Sequence, residues 1–299
     1  MAAPVAGKSS LLVAAAAALW GTTGTAQALA PDGAHPVAIG AVRIALGGAV
    51  LVVFASLSGL LTRDRAPVIG KGGWSFGAVA AAAAGVALYQ PLFFAGVSEA
   101  GVSVGTVVAI GSAPVMAGFV GFLVLGERPG GPWIFATILA VSGCALLLGP
   151  GSSGEISPVG VLSALGAGLC YGSYATASKM LLERGLSHSA VMAVAFGLGG
   201  ALLAPALFFV DLGWLAEPAG VATALHLGLV ATAAAYLLFA RGLSGLPVAT
   251  AATLSLAEPL TAGALGFLLL GERLGPVALA GAALILCGLL TAARRGPRR

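Results

Sequence analysis

Charged residues are scarce in this sequence. Asp, Glu, Lys and Arg make up 8% of its 299 residues, against about 25% in a soluble domain. Hydrophobic residues make up 59%, and the mean hydropathy is +1.05. A chain of this composition is predicted to lie in a lipid bilayer. The net charge of +4 does not indicate nucleic-acid binding, because the basic residues are scattered over predicted loops and form no patch with aromatic residues.

Residues that commonly carry chemistry are also few. Cys144, Cys170 and Cys287 lie in apolar runs without C-x-x-C spacing, so neither a disulfide framework nor a metal site is predicted. The three histidines have no ligand spacing, and we interpret them as incidental residues near helix ends. No G-x-x-x-x-G-K-S/T motif occurs, which argues against ATP-driven pumping by this chain. Without a nucleophile and base or a metal constellation, we expect no enzymatic activity and no cofactor.

What the sequence does contain is an internal repeat. Pro114–Gly130 matches Pro259–Gly275 at 11 of 17 positions, with a shift of 145 residues. Trp20-Gly21 matches Tyr171-Gly172 with a shift of 151 residues. The chain is therefore predicted to be two copies of one unit, over residues 1–150 and 151–299. The N-terminal apolar run imitates a secretory signal, but the repeat assigns it to the first copy.

Long apolar runs divide each copy into five segments. Each run approaches or exceeds the ~20 residues that a helix needs to cross a bilayer. Helices are expected because a spanning segment must satisfy its own backbone hydrogen bonds. The ten runs are Ser9–Ala30, Val37–Leu61, Ser75–Val97, Val102–Leu125, Pro132–Leu148, Pro158–Leu182, Ser189–Val210, Gly220–Ala240, Pro247–Leu270 and Pro276–Ala293. The predicted fold is an all-α polytopic membrane protein with ten transmembrane helices.

The odd number of helices per copy predicts the orientation of the two copies. The second copy must enter the membrane from the opposite side, which gives two inverted five-helix repeats. With a cytoplasmic N-terminus, twelve Lys and Arg residues lie on the inner side and only Arg273 lies on the outer side, with Arg43 inside a helix. Basic residues favour the cytoplasmic side. Both termini are therefore predicted to be cytoplasmic.

Glu258 is the most informative polar residue. It lies about halfway along its predicted span, directly before Pro259 and with no basic neighbour in the sequence. A carboxylate at that depth costs about 2.5–3.5 kcal/mol on insertion scales, so it should face the protein interior. It could bind a substrate ammonium or a coupled proton, or it could be a protonated carboxyl group that joins two helices. Its counterpart in the first copy is Ala113.

Arg43 is the basic residue that the predicted topology clearly places inside the membrane, nearer the outer end of its helix. A guanidinium can bind a carboxylate through two parallel hydrogen bonds. Arg43 could therefore bind a substrate carboxylate, pair with an outer acidic residue, or extend to the membrane interface. The sequence leaves these three roles open.

Further candidate substrate contacts are polar or aromatic side chains near the middle of the predicted spans. Trp20 and Tyr171 occupy equivalent repeat positions and could form cavity walls or pack helices together. Pro114 and Pro259 each remove one helical hydrogen bond, which could expose polar backbone near Ser112 and Glu258 or merely kink the helix. With Arg43 and Glu258, the predicted substrate-binding residues are Trp20, Tyr89, Gln90, Ser112, Tyr171, Ser173 and Tyr236.

The Gly-Glu-Arg sequences at 126–128 and 271–273 follow the fourth and ninth predicted helices. A glycine before adjacent opposite charges is typical of a helix end and a tight turn. We interpret both as structural.

Together, these features resemble the EamA-type transporters of the drug/metabolite transporter superfamily. The resemblance rests on the duplicated five-helix unit, the Trp20-Gly21 opening, the repeated helix ending that includes Gly-Glu-Arg, and the basic tail Arg294–Arg299. It implies a bacterial inner-membrane permease that exports amino acids or related metabolites by alternating access. The sequence departs from the pattern at Ala113, where a carboxylate often precedes the proline.

The function expected from the resemblance is export of small metabolites, with neutral and aromatic amino acids as candidates suggested by Trp20, Tyr89, Tyr171 and Tyr236. The alternatives are an exporter or exchanger of another metabolite or drug, and a membrane scaffold that transports nothing. A sugar-phosphate or nucleotide-sugar exchanger would need several intramembrane cations, and only Arg43 qualifies. The expected partners are a small-molecule substrate and the bilayer, with no nucleic acid, and a monomer is the expected state.

Overall fold

The computed structural model describes residues 3–59, 73–149 and 157–294, and these residues form helices and short connections without a strand. The first half contains α1 to α5 and the second half α6 to α12. The helices are α1 (Ala3–Ala28), α2 (Pro36–Leu57), α3 (Phe76–Ala100), α4 (Val102–Leu125), α5 (Gly131–Leu148), α6 (Pro158–Glu183), α7 (His188–Leu203), α8 (Pro218–Leu225), α9 (Ala235–Leu243), α10 (Val248–Leu254), α11 (Ala257–Leu269) and α12 (Pro276–Arg294).

Eight helical segments within the described residues are long and apolar enough to cross a bilayer. They are α2, α3, α4, α5, α7 with the 3₁₀ turn Ala204–Phe209, α8 to α9, α10 to α11, and α12. The remaining two, α1 and α6, have 26 residues each and are not in this apolar set. The chain is thus a multi-pass membrane protein. The count of ten spanning helices in inverted repeats stays a prediction.

Two predicted spans in the second half are not regular α-helices. Between α8 and α9 the chain forms a π-helix over His226–Ala234, whose turns are wider than α-helical turns. The span containing Pro259 divides at Ser255 into α10 and α11. Pro259 has no N–H to donate to the Ser255 carbonyl, and this carbonyl instead accepts the Glu258 N–H at 3.0 Å. In the first half, α4 continues unbroken through Pro114.

The most extensive helix contacts join one half to the other. α1 packs against α9 and α11, and α6 packs against α3 and α4. The repeat makes α1 equivalent to α6, α3 to the α8–α9 span, and α4 to the α10–α11 span, so these contacts correspond. α2 packs against α7, and α5 against α12. Reciprocal contacts of this kind are what the predicted pair of repeats would make.

Candidate functional site

A cavity of about 270 Å³ lies between the two halves. Seven of the nine predicted residues line it, namely Trp20, Arg43, Tyr89, Gln90, Tyr171, Tyr236 and Glu258. Ser112 and Ser173 are not among its lining residues. The Ser112 hydroxyl donates to the Ala109 carbonyl at 3.3 Å within α4, and Ser112 lies where a side chain on Gly168 of α6 would stand.

The cavity is displaced toward one end of the helix bundle. It reaches Gln27, near the end of α1, and Leu148, the last residue of α5. The opposite end holds a cluster of interhelical contacts. Lys179, which is 6% exposed, donates to the Leu243 and Ser244 carbonyls at 3.1 and 3.0 Å. The lining residues come no nearer to that end than about two helical turns.

Glu258 lies in the first turn of α11, where the chain resumes a helical path after the break at Ser255. Its side chain is half-buried and lines the cavity. Within the described residues, the Glu258 carboxyl group accepts no hydrogen bond from a protein group and forms no ion pair within 4.0 Å. The Glu258 side chain thus borders the cavity, and the role of its carboxyl group there stays a prediction.

Arg43 reaches the same cavity from α2. Its Nε donates to the Thr232 hydroxyl at 3.2 Å, and its Nη1 donates to the Thr23 hydroxyl at 3.5 Å. It also lies beside the Tyr236 hydroxyl. Arg43 and Glu258 therefore face one cavity from different halves of the chain, with the opposite charges not joined in an ion pair within 4.0 Å.

Aromatic side chains form much of the cavity wall. The Trp20 ring lies 4.8 Å from the Tyr236 ring, and the Tyr236 ring lies 4.1 Å from that of Phe196, centroid to centroid. Trp20 is 4% exposed, and its indole Nε1 has no hydrogen-bond acceptor among the described residues. The Tyr171 hydroxyl is 2.9 Å from the Ser255 hydroxyl. Trp20 and Tyr171 thus serve both as cavity walls and as helix contacts.

Sequence reasoning did not select Thr23 or Thr232 as site residues. Thr23 and Gln27 line the cavity from the same face of α1 as the predicted Trp20, and the i, i+3, i+7 spacing of these three residues is a signal for that face. No periodic signal indicates Thr232, because a π-helix shifts the face on which a residue lies. His226 also corrects an expectation, since its Nε2 lies 2.8 Å from the Thr22 hydroxyl and joins the π-helix to α1.

Comparison with known proteins adds the decisive observation. A family model described as the EamA-like transporter family matches residues 7–149 and again residues 158–294. The chain belongs to the EamA-like transporter family. It is therefore a membrane transporter, and its family indicates transport rather than catalysis.

Relatives of this EamA-like transporter agree with that class. An uncharacterized transporter of Bacillus subtilis, YwfM, is 46% identical over 281 residues, which are 94% of this chain and 92% of the relative. A protein of Streptantibioticus cattleyicolor named "Probable terminal-alkyne amino-acid exporter" is 31% identical over 221 residues, 73% of each chain. One crystal structure matches with a TM-score of 0.80 and 20% identity, over 95% of this chain and 96% of its own. This last likeness shows the fold alone.

Proposed function

We propose that this EamA-like transporter exports neutral amino acids, aromatic ones among them, or related small zwitterions across the bacterial inner membrane by alternating access. The observation that carries the proposal is the pairing of Arg43 and Glu258 in one cavity without a direct ion pair. Both termini would lie in the cytoplasm, and ten helices in two inverted repeats would enclose the site.

A zwitterion matches this arrangement of charges. A buried charge is costly unless it has a partner, and the substrate supplies one for each residue. Its ammonium group would bind Glu258, and its carboxylate would bind the free N–H groups of Arg43. An apolar or aromatic side chain would lie among Trp20, Tyr236 and Phe196.

The size of the cavity suits a small metabolite. It measures about 270 Å³, near the lower end of the about 300–1,000 Å³ that is typical of small-molecule sites. Among the described residues, Arg43 is the one cationic side chain of the lining, which argues against substrates with several negative charges. The name of the S. cattleyicolor relative supports an amino acid as the substrate class.

The proposal is tested by counterflow of labelled L-phenylalanine and L-threonine in liposomes that contain the purified protein. We expect saturable flux that falls about 10- to 150-fold in Glu258→Gln and in Arg43→Gln, because a hydrogen bond to a charged group contributes about 1.5–3 kcal/mol. Ser173→Ala is the matched control, since Ser173 lies outside the cavity lining.

Competition by fragments of the substrate separates the two roles. Phenethylamine retains the ammonium group, and 3-phenylpropanoate retains the carboxylate. Glu258→Gln should weaken inhibition by the amine, whereas Arg43→Gln should weaken inhibition by the acid. An absence of flux for every amino acid, with or without a pH gradient, would rule out the proposed substrate class.

A further inference from the structure

We propose that the π-helical segment His226–Ala234 positions Arg43 for the substrate carboxylate, with Thr232 as the positioning residue. This inference rests on the proposed function, because it assigns a support to the group that would bind the carboxylate. Thr232 is fully buried, with 0% exposure, and it does not line the cavity. It therefore acts through Arg43 and makes no substrate contact of its own.

The π-helix determines which way the Thr232 hydroxyl points. This hydroxyl donates to the Leu227 carbonyl at 2.8 Å, five residues back along the chain. In the α-helices, the hydroxyls of Thr253 and Thr261 donate to the carbonyl four residues back. The hydroxyl hydrogen of Thr232 is thus used in a hydrogen bond within the wide turn. Its oxygen keeps a lone pair that accepts the Arg43 Nε–H at 3.2 Å.

A close contact between α2 and the π-helix brings these two residues together. Gly47 lies one turn after Arg43 on α2, and a Cβ on Gly47 would stand 3.0 Å from the Gly228 carbonyl oxygen and against the Thr232 side chain. The two backbones therefore approach as closely as a glycine permits. This approach allows the arginine stem to reach a residue buried inside the neighbouring helix.

Holding Nε restricts the orientation of the whole guanidinium group. The group is planar, so fixing Nε together with the 3.5 Å contact from Nη1 to Thr23 also fixes the plane of the other N–H groups. Those groups are the ones available to a carboxylate. A binding group whose orientation is set before the ligand arrives loses less entropy on binding. Without Thr232, Arg43 would retain its charge but lose this orientation.

The experiment compares Thr232→Val, which keeps the shape of the side chain, with Thr232→Ser, which keeps the hydroxyl. For each purified variant, we measure the constants with which unlabelled L-phenylalanine and phenethylamine inhibit counterflow of labelled L-phenylalanine. Phenethylamine lacks the carboxylate. We expect Thr232→Val to weaken the binding of L-phenylalanine about 3- to 10-fold and to leave the binding of phenethylamine unchanged. Thr232→Ser should restore the affinity for L-phenylalanine.

Two results would overturn the inference. In the first, Thr232→Val weakens the binding of L-phenylalanine and of phenethylamine equally. In the second, Thr232→Ser binds L-phenylalanine as weakly as Thr232→Val does. Either result would assign Thr232 to helix packing. If Thr232→Val does not fold, Thr232→Ala carries the same expectation without adding a methyl group at the oxygen position.

Arg43→Gln separates this inference from the proposed function. If Arg43→Gln lowers the preference for L-phenylalanine over phenethylamine and the Thr232 variants do not, the positioning role alone fails. If Arg43→Gln leaves that preference unchanged, or the wild-type protein binds neither compound, the proposed function fails.

Discussion

The two halves of the molecule agree in their helix crossings and differ in their polar groups. A Cβ on Gly143 of α5 would lie 2.5 Å from the Gly281 carbonyl oxygen of α12. A Cβ on Gly288 of α12 would lie 2.7 Å from the Ala136 carbonyl oxygen of α5. Both residues of the second contact are related to those of the first by the repeat shift of 145. The repeat has therefore kept the positions at which backbones touch.

The charged groups of the cavity each occur in one half only. Glu258 corresponds to Ala113 at the shift of 145, and Arg43 corresponds to Ala195 at the shift of 152 that aligns this helix. Neither alanine lines the cavity. The predicted repeat thus aligns each charged residue of the cavity with an alanine, and this asymmetry matches the zwitterion that we propose as the substrate.

The repeated Gly-Glu-Arg sequence shows the same contrast at the helix ends. The Glu127 carboxylate accepts the Val248 N–H at 2.8 Å and so joins the end of α4 to the start of α10. Glu272, at the equivalent position, is exposed. The predicted helix-end turn is present in both halves: Gly126 and Gly271 have φ values of 70° and 69°, and the Glu127 and Glu272 N–H groups donate to the Gly121 and Gly266 carbonyls. The difference lies in the Glu127 side chain, which makes a contact between the halves.

The largest effect is expected when the carboxylate is moved to the other half. The double variant Glu258→Ala with Ala113→Glu should transport as poorly as Glu258→Ala alone, about 10- to 150-fold below wild type, because residue 113 lies outside the cavity lining. Counterflow in liposomes measures this effect. Recovery of transport in the double variant would show that the two positions are interchangeable.

The matched glycines should be equally sensitive to added volume. Gly143→Ala and Gly288→Ala should each lower the free energy of unfolding by about 1–3 kcal/mol, because the new methyl group meets backbone atoms that cannot move aside. Denaturant unfolding in detergent measures the loss. Gly77→Ala is the control, since nothing lies within 4 Å of a Cβ at that helical position, and it should be neutral or stabilising. Strongly unequal losses of unfolding free energy in Gly143→Ala and Gly288→Ala would contradict the equivalence of the two helix crossings.

A smaller effect should distinguish the two glutamates. Glu127→Ala removes the acceptor of the Val248 N–H and should lower the free energy of unfolding by about 1 kcal/mol. Glu272→Ala changes an exposed side chain and should cost less than about 0.5 kcal/mol. The same unfolding assay compares them, and equal costs would contradict the asymmetry of the motif.

The smallest effect is a dependence of stability on pH. Burial raises the pKa of Glu127, and the hydrogen bond from Val248 only partly opposes this shift. The stabilisation linked to its protonation is complete below the ordinary carboxyl pKa of about 4.3 and is lost as the pH rises through the raised pKa. Stability of the wild type relative to Glu127→Gln should therefore decline over that interval. A flat difference between the two proteins would contradict the shift.

The two charged residues of the site could be predicted from their depth in the membrane. Glu258 and Arg43 were predicted because a charged side chain far from water is costly unless it has a partner or a function. Both residues line the cavity. Ser112 was predicted from its place before Pro114, but α4 stays continuous there and its hydroxyl donates to the backbone. Small hydroxyl residues are poor predictors, because they satisfy themselves within a helix as readily as they face a cavity.

The sequence by itself determined the lipid environment, the helical class and the repeat, since each depends on composition or on order along the chain. Only the tertiary structure decided that α1 lies against α9 and α11, that a π-helix presents Thr232 to Arg43, and that the two opposite charges share a cavity. The contact between Arg43 and Thr232, for example, joins residues 189 positions apart. Such contacts depend on which faces of the helices meet, and that follows from packing across the two halves, which local pattern does not encode.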